Sequence, residues 1–158
     1  MSLTEEWLID GYNVYHAWRR SERALTLGDY LSRLADIASS PAPSGSARRF
    51  LVVLDGAGDD ADLTPYCTDR CRVVRSGRVS ADTCMERLIF ELKAVRLLTL
   101  VSDDRAVRQL AIGAGCRCLG AAEFIAQQAA HRRERANDQE TRRMLNENRF
   151  NRPFEKLL

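Results

Sequence analysis

Three apolar runs in this chain each stop at a carboxylate. "WLID" ends at Asp10, "LVVLD" at Asp55, and "LTLVSDD" at Asp103 and Asp104. None of them alternates apolar with polar residues. A strand with one wet face alternates, whereas a strand buried on both faces is apolar throughout, as in parallel sheets covered by helices. These runs predict the middle of an α/β domain. They also predict that its acids gather at one edge, because parallel strands all end on the same side.

The segments between them supply the other elements. Residues 6–10 predict a first strand. A helical region follows, with a break near Leu27-Gly28-Asp29 and a second helix through Leu31, Leu34, Ile37 and Ala38. "SSPAPSGSA" (39–47) is a loop by its prolines, glycine and serines. Residues 48–56 predict the second strand, 57–66 a polar loop and 71–77 a third strand. "SADTCMERLIFELKAV" (80–95) reads as an amphipathic helix. Ser80 is a favourable N-cap, and Met85, Leu88, Ile89 and Leu92 recur at helical spacing. A fourth strand at 97–104, a helix at 104–115 closed by glycine and a short strand in "CRCLG" complete the pattern. From Ala121 a helix runs into a charged C-terminal segment. The expectation is a three-layer α/β domain over residues 1–130 with a helical tail over 131–158.

Composition narrows the class. A chain of 158 residues can bury a proper core. No apolar run approaches the roughly 20 residues that span a bilayer, and the N-terminus lacks the basic start and apolar stretch of a signal peptide. A cytoplasmic protein without a membrane partner is expected. The five cysteines, Cys67, Cys71, Cys84, Cys116 and Cys118, are odd in number and do not space like a disulfide framework. Cys67 with Cys71 and Cys116 with Cys118 offer four sulfurs for zinc, but neither pair has the spacing of a zinc knuckle. The other reading makes them small buried apolar residues. Of 24 basic residues, 22 are arginine. That suits phosphate, which the planar guanidinium grips through two oxygens; codon bias in a GC-rich genome explains it equally well.

In an open parallel sheet, sites form beyond the carboxyl ends of the strands, where strand order reverses. Asp82 and Glu86 stand four apart in the helix at 80–95, so they share a face. Like charges gathered at one edge repel unless a cation joins them or some stay protonated. A hard divalent ion suits oxygen ligands, and can activate water and stabilise the leaving oxygen of a phosphodiester. The chain has no phosphate-binding P-loop and no Gly-x-Gly-x-x-Gly turn. His16 and His131 are its only histidines. Each acid also has a plain structural reading: a strand-end aspartate caps the next helix, and Asp82 favours the positive end of its own.

Taken in order, "DGYNV" (10–14), "VVLDG" (52–56), "SADTCMERL" (80–88), "LVSDDRAVRQLAIGAGC" (100–116) and "LGAAEFIAQ" (119–127) resemble the YacP-type branch of the NYN domains, relatives of the PIN-domain nucleases. The resemblance covers residues 6–130. It implies a PIN-like, Rossmann-like sheet with strand order 3-2-1-4-5. It also implies endoribonuclease activity on single-stranded RNA, dependent on Mg²⁺ or Mn²⁺. By motif, Asp10, Asp82 and Asp103 are implied as metal carboxylates, and Glu86 as a ligand directly or through water. Asn13 is implied to orient a ligand water or a phosphate oxygen, and Ser102 to support the Asp103 loop. Asp55 is a supporting or structural residue, and the role of Asp104 stays open. Gly11 serves close backbone approach or a sharp turn. Tyr12 either stacks on a base or packs in the core. Trp18, Arg19 and Arg20 line an RNA path, or form a solvated helix face over one aromatic.

Residues 131–156 hold eight basic and five acidic side chains, a net of +3, which leaves about −1 for residues 1–130. Phosphate contacts supply much of any affinity for nucleic acid, so Arg142 and Arg143 are candidate RNA contacts; an exposed helix of mixed charge is the alternative. Phe154, Leu157 and Leu158 give the tail an apolar end, suited to its own domain, a second copy (a homodimer), or an RNA–protein assembly such as the ribosome with mRNA. Two other functions compete. One is an RNA-binding protein on the same fold that does not cleave. The other is a phosphoacceptor receiver domain, which wants a lysine near the end of strand five; only Lys93 and Lys156 exist.

Overall fold

The computed structural model describes residues 3–92 and 97–155, with side chains as far as residue 149. Five strands form one parallel sheet: β1 (Glu5–Asp10), β2 (Arg48–Leu54), β3 (Cys71–Arg75), β4 (Leu98–Val101) and β5 (Arg117–Leu119). They pair in the order β3-β2-β1-β4-β5, as the family resemblance implies. β1 is central. Asp10 lies opposite Val53 of β2, and Ile9 opposite both Val52 of β2 and Val101 of β4. The chain therefore reverses its direction of travel across the sheet at the end of β1, where the crevice of such a fold opens.

The helices are α1 (Gly11–Arg19), α2 (Leu27–Ser39), α3 (Ala81–Leu92), α4 (Arg105–Gly113) and α5 (Ala121–Glu155). Alternate strand residues point to opposite faces, and two cores result. Trp7, Ile9, Phe50, Val52 and Leu54 pack with Val14, Trp18, Tyr30, Leu34 and Phe124 on one face. Leu8, Val53, Leu98 and Leu100 pack with Met85, Ile89, Val107 and Ala111 on the other. Each fully buried large side chain contributes about 1.5–3 kcal/mol. Double coverage is the physical reason that the strand sequences are apolar throughout.

Some boundaries differ from the sequence expectation. The break between the first two helices falls at residues 20–26, ahead of Gly28. Thr26 accepts the Asp29 N–H on its Oγ1 at 3.1 Å and so starts α2 at Leu27. Gly28 sits inside the first turn because a Cβ there would lie 2.7 Å from the Tyr66 hydroxyl. The expected polar loop at 57–66 contains a 3₁₀ helix over Asp60–Tyr66, started by the Asp59 carboxylate accepting the Ala61 N–H. Buried Leu63 anchors it. Strands three and four are shorter than expected because their ladder pairing ends at Arg75 and Val101. The expected extension of α3 to residue 95, and the apolar chain end, lie outside the described residues. The cysteines are free thiols. Cys67 and Cys71 pack with one core and Cys116 and Cys118 with the other, so the four sulfurs lie on opposite faces of the sheet and cannot share a zinc ion.

The chain forms two compact units, one through Ile125 and one from Ala126. The second is helical. Arg142 and Arg143 are exposed in it, and Arg143 pairs with Glu147 one turn on at 3.2 Å. Among the described residues no helix is long and apolar enough to cross a membrane.

Gly11 opens α1 directly after β1. A Cβ at this position would lie 2.5 Å from Leu54 Cδ2 and 2.8 Å from the Val53 carbonyl oxygen. The glycine is therefore required by close approach of α1 to β2, at an ordinary backbone geometry. Gly11→Ala is expected to destabilise the fold by about 2 kcal/mol through overpacking, read as a lower midpoint in urea unfolding. A midpoint within error of the wild type would show that β2 yields freely.

Candidate functional site

Asp10 is the last residue of β1 and α1 begins at the next position, so no linker separates them. The first turn of α1 carries Asn13 towards the loop after β4. Asn13 Oδ1 accepts the Asp103 N–H at 2.9 Å, and its Nδ2 makes a longer 3.4 Å contact with Asp103 Oδ2. The other Asp103 oxygen, Oδ1, accepts the Ala121 N–H at the start of α5 at 3.0 Å. Both oxygens of Asp103 thus hold backbone or side chain of the protein itself.

Ser102 is fully buried. Its hydroxyl donates to Asp10 Oδ2 at 3.1 Å and accepts the Asp104 N–H at 3.1 Å. Its carbonyl accepts from Arg108 Nη1 at 3.1 Å. Asp104 caps α4 by accepting the Val107 N–H on Oδ1 at 2.9 Å. Asp55 performs the same service for α3, where the Ala81 N–H lies 2.8 Å from its Oδ1. Asp82 and Glu86 follow in the first two turns of α3.

The charges of these groups interact. Burial pushes the Asp10 carboxyl up to about 6; the Ser102 hydroxyl opposes this, and Asp82 and Asp104 add to it by repulsion. The Asp82 carboxyl is also raised, by burial first and then by repulsion from Asp104, Asp55 and Glu86. Asp10, Asp82 and Asp104 therefore form one electrostatic group at the carboxyl edge of the sheet, with Asp55 and Glu86 on the Asp82 side. Asp103 contributes to neither shift. The donors of this group are all carboxylate oxygens, the chemistry of a hard divalent cation. Among the described residues no three His, Cys, Asp or Glu side chains converge as a ready-made ligand set.

Other expected residues fall elsewhere. Tyr12 packs partly buried against the larger core and stacks on His16 with ring centroids 6.0 Å apart. Trp18 is in the core, edge-on to Tyr30 and Phe124, with the Arg33 guanidinium 5.0 Å above its ring. Arg19 and Arg20 are exposed at the end of α1. Sequence reasoning passed over Arg108, whose hydrogen bond to the Ser102 carbonyl has no local motif. It also left Asp104 open, because two adjacent aspartates at a strand end look alike until the turn between them is seen.

A family model described as the YacP-like NYN domain matches residues 7–157. Comparison with curated proteins gave no match. Among solved structures, that of Rae1 (YacP) from Bacillus subtilis is similar with a TM-score of 0.61 and 18% identity, over 89% of this chain and 82% of that one. The W164L mutant of the same protein gives 0.58 and 21%, over 87% and 84%. At such identities the likeness speaks for the fold.

The Asp10 shift has a consequence for stability. Folded Asp10 keeps its proton up to about pH 6, whereas the unfolded residue releases it near 3.8. The folded state binds more protons in that window, so stability falls as pH rises through it. Asp10→Asn is expected to remove this penalty and to stabilise the metal-free protein at pH 7 by about 1–2 kcal/mol, after allowance for solvent screening. The check is a pair of thermal melts: the advantage of the variant should grow between pH 4 and pH 7. An advantage that does not change with pH would count against a raised Asp10.

Proposed function

The chain belongs to the YacP-like NYN domain family, a family of PIN-like nucleases, and from that premise we propose that it is a metal-dependent endoribonuclease acting on single-stranded RNA. The observation that carries the reading is the state of Asp10. A half-buried carboxylate at the topological switch point, repelled by Asp82 and Asp104, is costly to the fold unless it serves a bound cation.

Asp10, Asp82 and Asp104 are the proposed carboxylates for Mg²⁺ or Mn²⁺, with Glu86 reached directly or through water. The absence of three converged donors among the described residues is compatible with Mg²⁺, which keeps several waters of its own. When bound, such an ion supplies an activated water and neutralises charge on the phosphodiester. Ser102 pins one oxygen of Asp10 and sets its direction. Arg108 and Asn13 fix the loop that carries Asp104. Asp103 becomes a positioning residue that joins this loop to α1 and α5. The family resemblance instead makes Asp103 the ligand, and the two assignments give different outcomes below.

RNA is the proposed partner, in a cytoplasmic setting. Arg19, Arg20, Arg142 and Arg143 are its proposed backbone contacts; Tyr12 is the less suited to stacking because its ring already lies on His16. Nothing among the described residues singles out a ribosomal site or a second copy of the chain. A second reading, RNA binding without cleavage, is favoured by the lack of a preassembled ligand set among the described residues. A phosphoacceptor role is disfavoured because Asp55 already holds the N-terminus of α3.

Labelled unstructured RNA, incubated with Mg²⁺, Mn²⁺ or EDTA, tests this. Metal-dependent internal cleavage is expected, reduced by roughly 100-fold or more in Asp10→Asn and Asp104→Asn. Asp103→Asn is expected to lose roughly tenfold together with a lower melting temperature, because it weakens a helix cap. If Asp103→Asn loses everything while Asp104→Asn cleaves normally, the ligand is Asp103. Binding that survives EDTA with no cleavage under any metal supports the second reading. Changing Arg142 and Arg143 to alanine together is expected to weaken RNA binding and to lower its salt slope by up to about two; an unchanged slope returns the tail to a structural role.

A further inference from the structure

We propose that Arg108 binds a phosphate of the RNA strand at the acidic edge, using the side of its guanidinium that the protein leaves unused. The inference rests on the ribonuclease reading above and names a contact for it. Asp10 follows Leu8 by two positions, and alternate strand residues share a face. Its side chain therefore lies on the face where Leu8 packs with Met85 and Ile89 of α3 and Val107 of α4. Arg108 belongs to α4, and its Nη1 donates to the Ser102 carbonyl at 3.1 Å. The hydroxyl of the same serine donates to Asp10 Oδ2 at 3.1 Å. One residue thus separates the guanidinium from the carboxylate. Across β4 that is one to two strand spacings, or roughly 5–10 Å.

The guanidinium is anchored by one nitrogen and open at the other two. Among the described residues Nε and Nη2 of Arg108 make no hydrogen bond, and neither is buried away from water. These two carry the parallel N–H bonds that a guanidinium offers to a pair of oxygens. Arg108 also forms no ion pair among the described residues, although acids surround it. Those acids are committed elsewhere. Asp104 Oδ1 accepts the Val107 N–H, Asp103 Oδ1 accepts the Ala121 N–H, and Asp103 Oδ2 meets Asn13. Gly120 keeps the space beside them clear: a Cβ there would lie 3.0 Å from Asp103 Oδ1 and 3.3 Å from Arg108 Nη1. Glu123 Oε1 comes within 3.6 Å of the same point without bonding the arginine. A positioned cation that faces water next to a phosphodiester-cleaving centre, and that no carboxylate neutralises, is matched by a phosphate.

The test is fluorescence anisotropy of labelled unstructured RNA with the full chain in EDTA, over a series of salt concentrations. Arg108→Gln is expected to bind roughly tenfold more weakly and to lower the salt slope by roughly 0.7, the single-strand value for one phosphate. An arginine that only held the Ser102 carbonyl would release no counterions and would leave the slope alone. Arg108→Lys keeps a charge without the planar fork, and is expected to keep the slope while binding several-fold more weakly. Melting temperatures report folding. If neither variant folds, the wild type decides: phenylglyoxal should modify Arg108 in the free protein, and bound RNA should protect it, as read by peptide mass. Arg72, exposed on β3, is expected to react equally with and without RNA. An unchanged slope in a folded Arg108→Gln, or no protection of Arg108 by RNA that does bind, overturns this proposal alone. A wild type that neither binds nor cleaves RNA overturns the ribonuclease reading, and this contact with it.

Discussion

The hydrogen bond from Ser102 to Asp10 joins the ends of the two strands on which the site depends. β1 and β4 are neighbours at the centre of the sheet, and beyond their ends no ladder bond holds them together. Ser102 supplies that link from a fully buried position and, through the same oxygen, receives the Asp104 N–H. One hydroxyl therefore sets the orientation of Asp10 and the turn that carries Asp104. Burial makes the Asp10 charge unfavourable, and this bond offsets part of that cost.

The same edge shows how one residue type performs several tasks. Asp104, Asp55 and Asp59 cap helices, as strand-end and loop aspartates commonly do. Asp103 ties three elements together. Among these acids only Asp10 accepts from a side-chain hydroxyl, with the Asn13 backbone N–H beside it, and only Asp10 is raised as far as about 6. Capping and charge clustering are not exclusive. Asp104 caps α4 with one oxygen and still repels Asp10 and Asp82.

The sheet was legible because its signal is carried by composition within short runs. "LVVL" and "LTLV" admit a strand covered on both faces and little else. The acids at the strand ends were legible for the same reason, since direction alone brings them to one edge. Helix starts were less so. The restart at Thr26 depends on a hydroxyl-to-backbone bond, and Gly28 drew attention to the wrong position because its role is to clear the Tyr66 hydroxyl. The contacts that tie down Asp103 reach across 18 and 90 positions of chain. Local spacing carries no trace of them.

The direct junction of β1 and α1 also limits how this chain can vary in length. Asp10 and Asn13 are separated by two residues, and α1 starts at the first of them. One residue inserted there would turn Asn13 by about 100° about the helix axis and carry its amide away from the Asp103 loop. The connections at residues 20–26 and 40–47 bear no such phase requirement, since each merely returns the chain to the next element. Insertions and deletions among related chains are therefore expected to collect in those two connections, while the four-residue interval from Asp10 to Asn13 keeps a constant length.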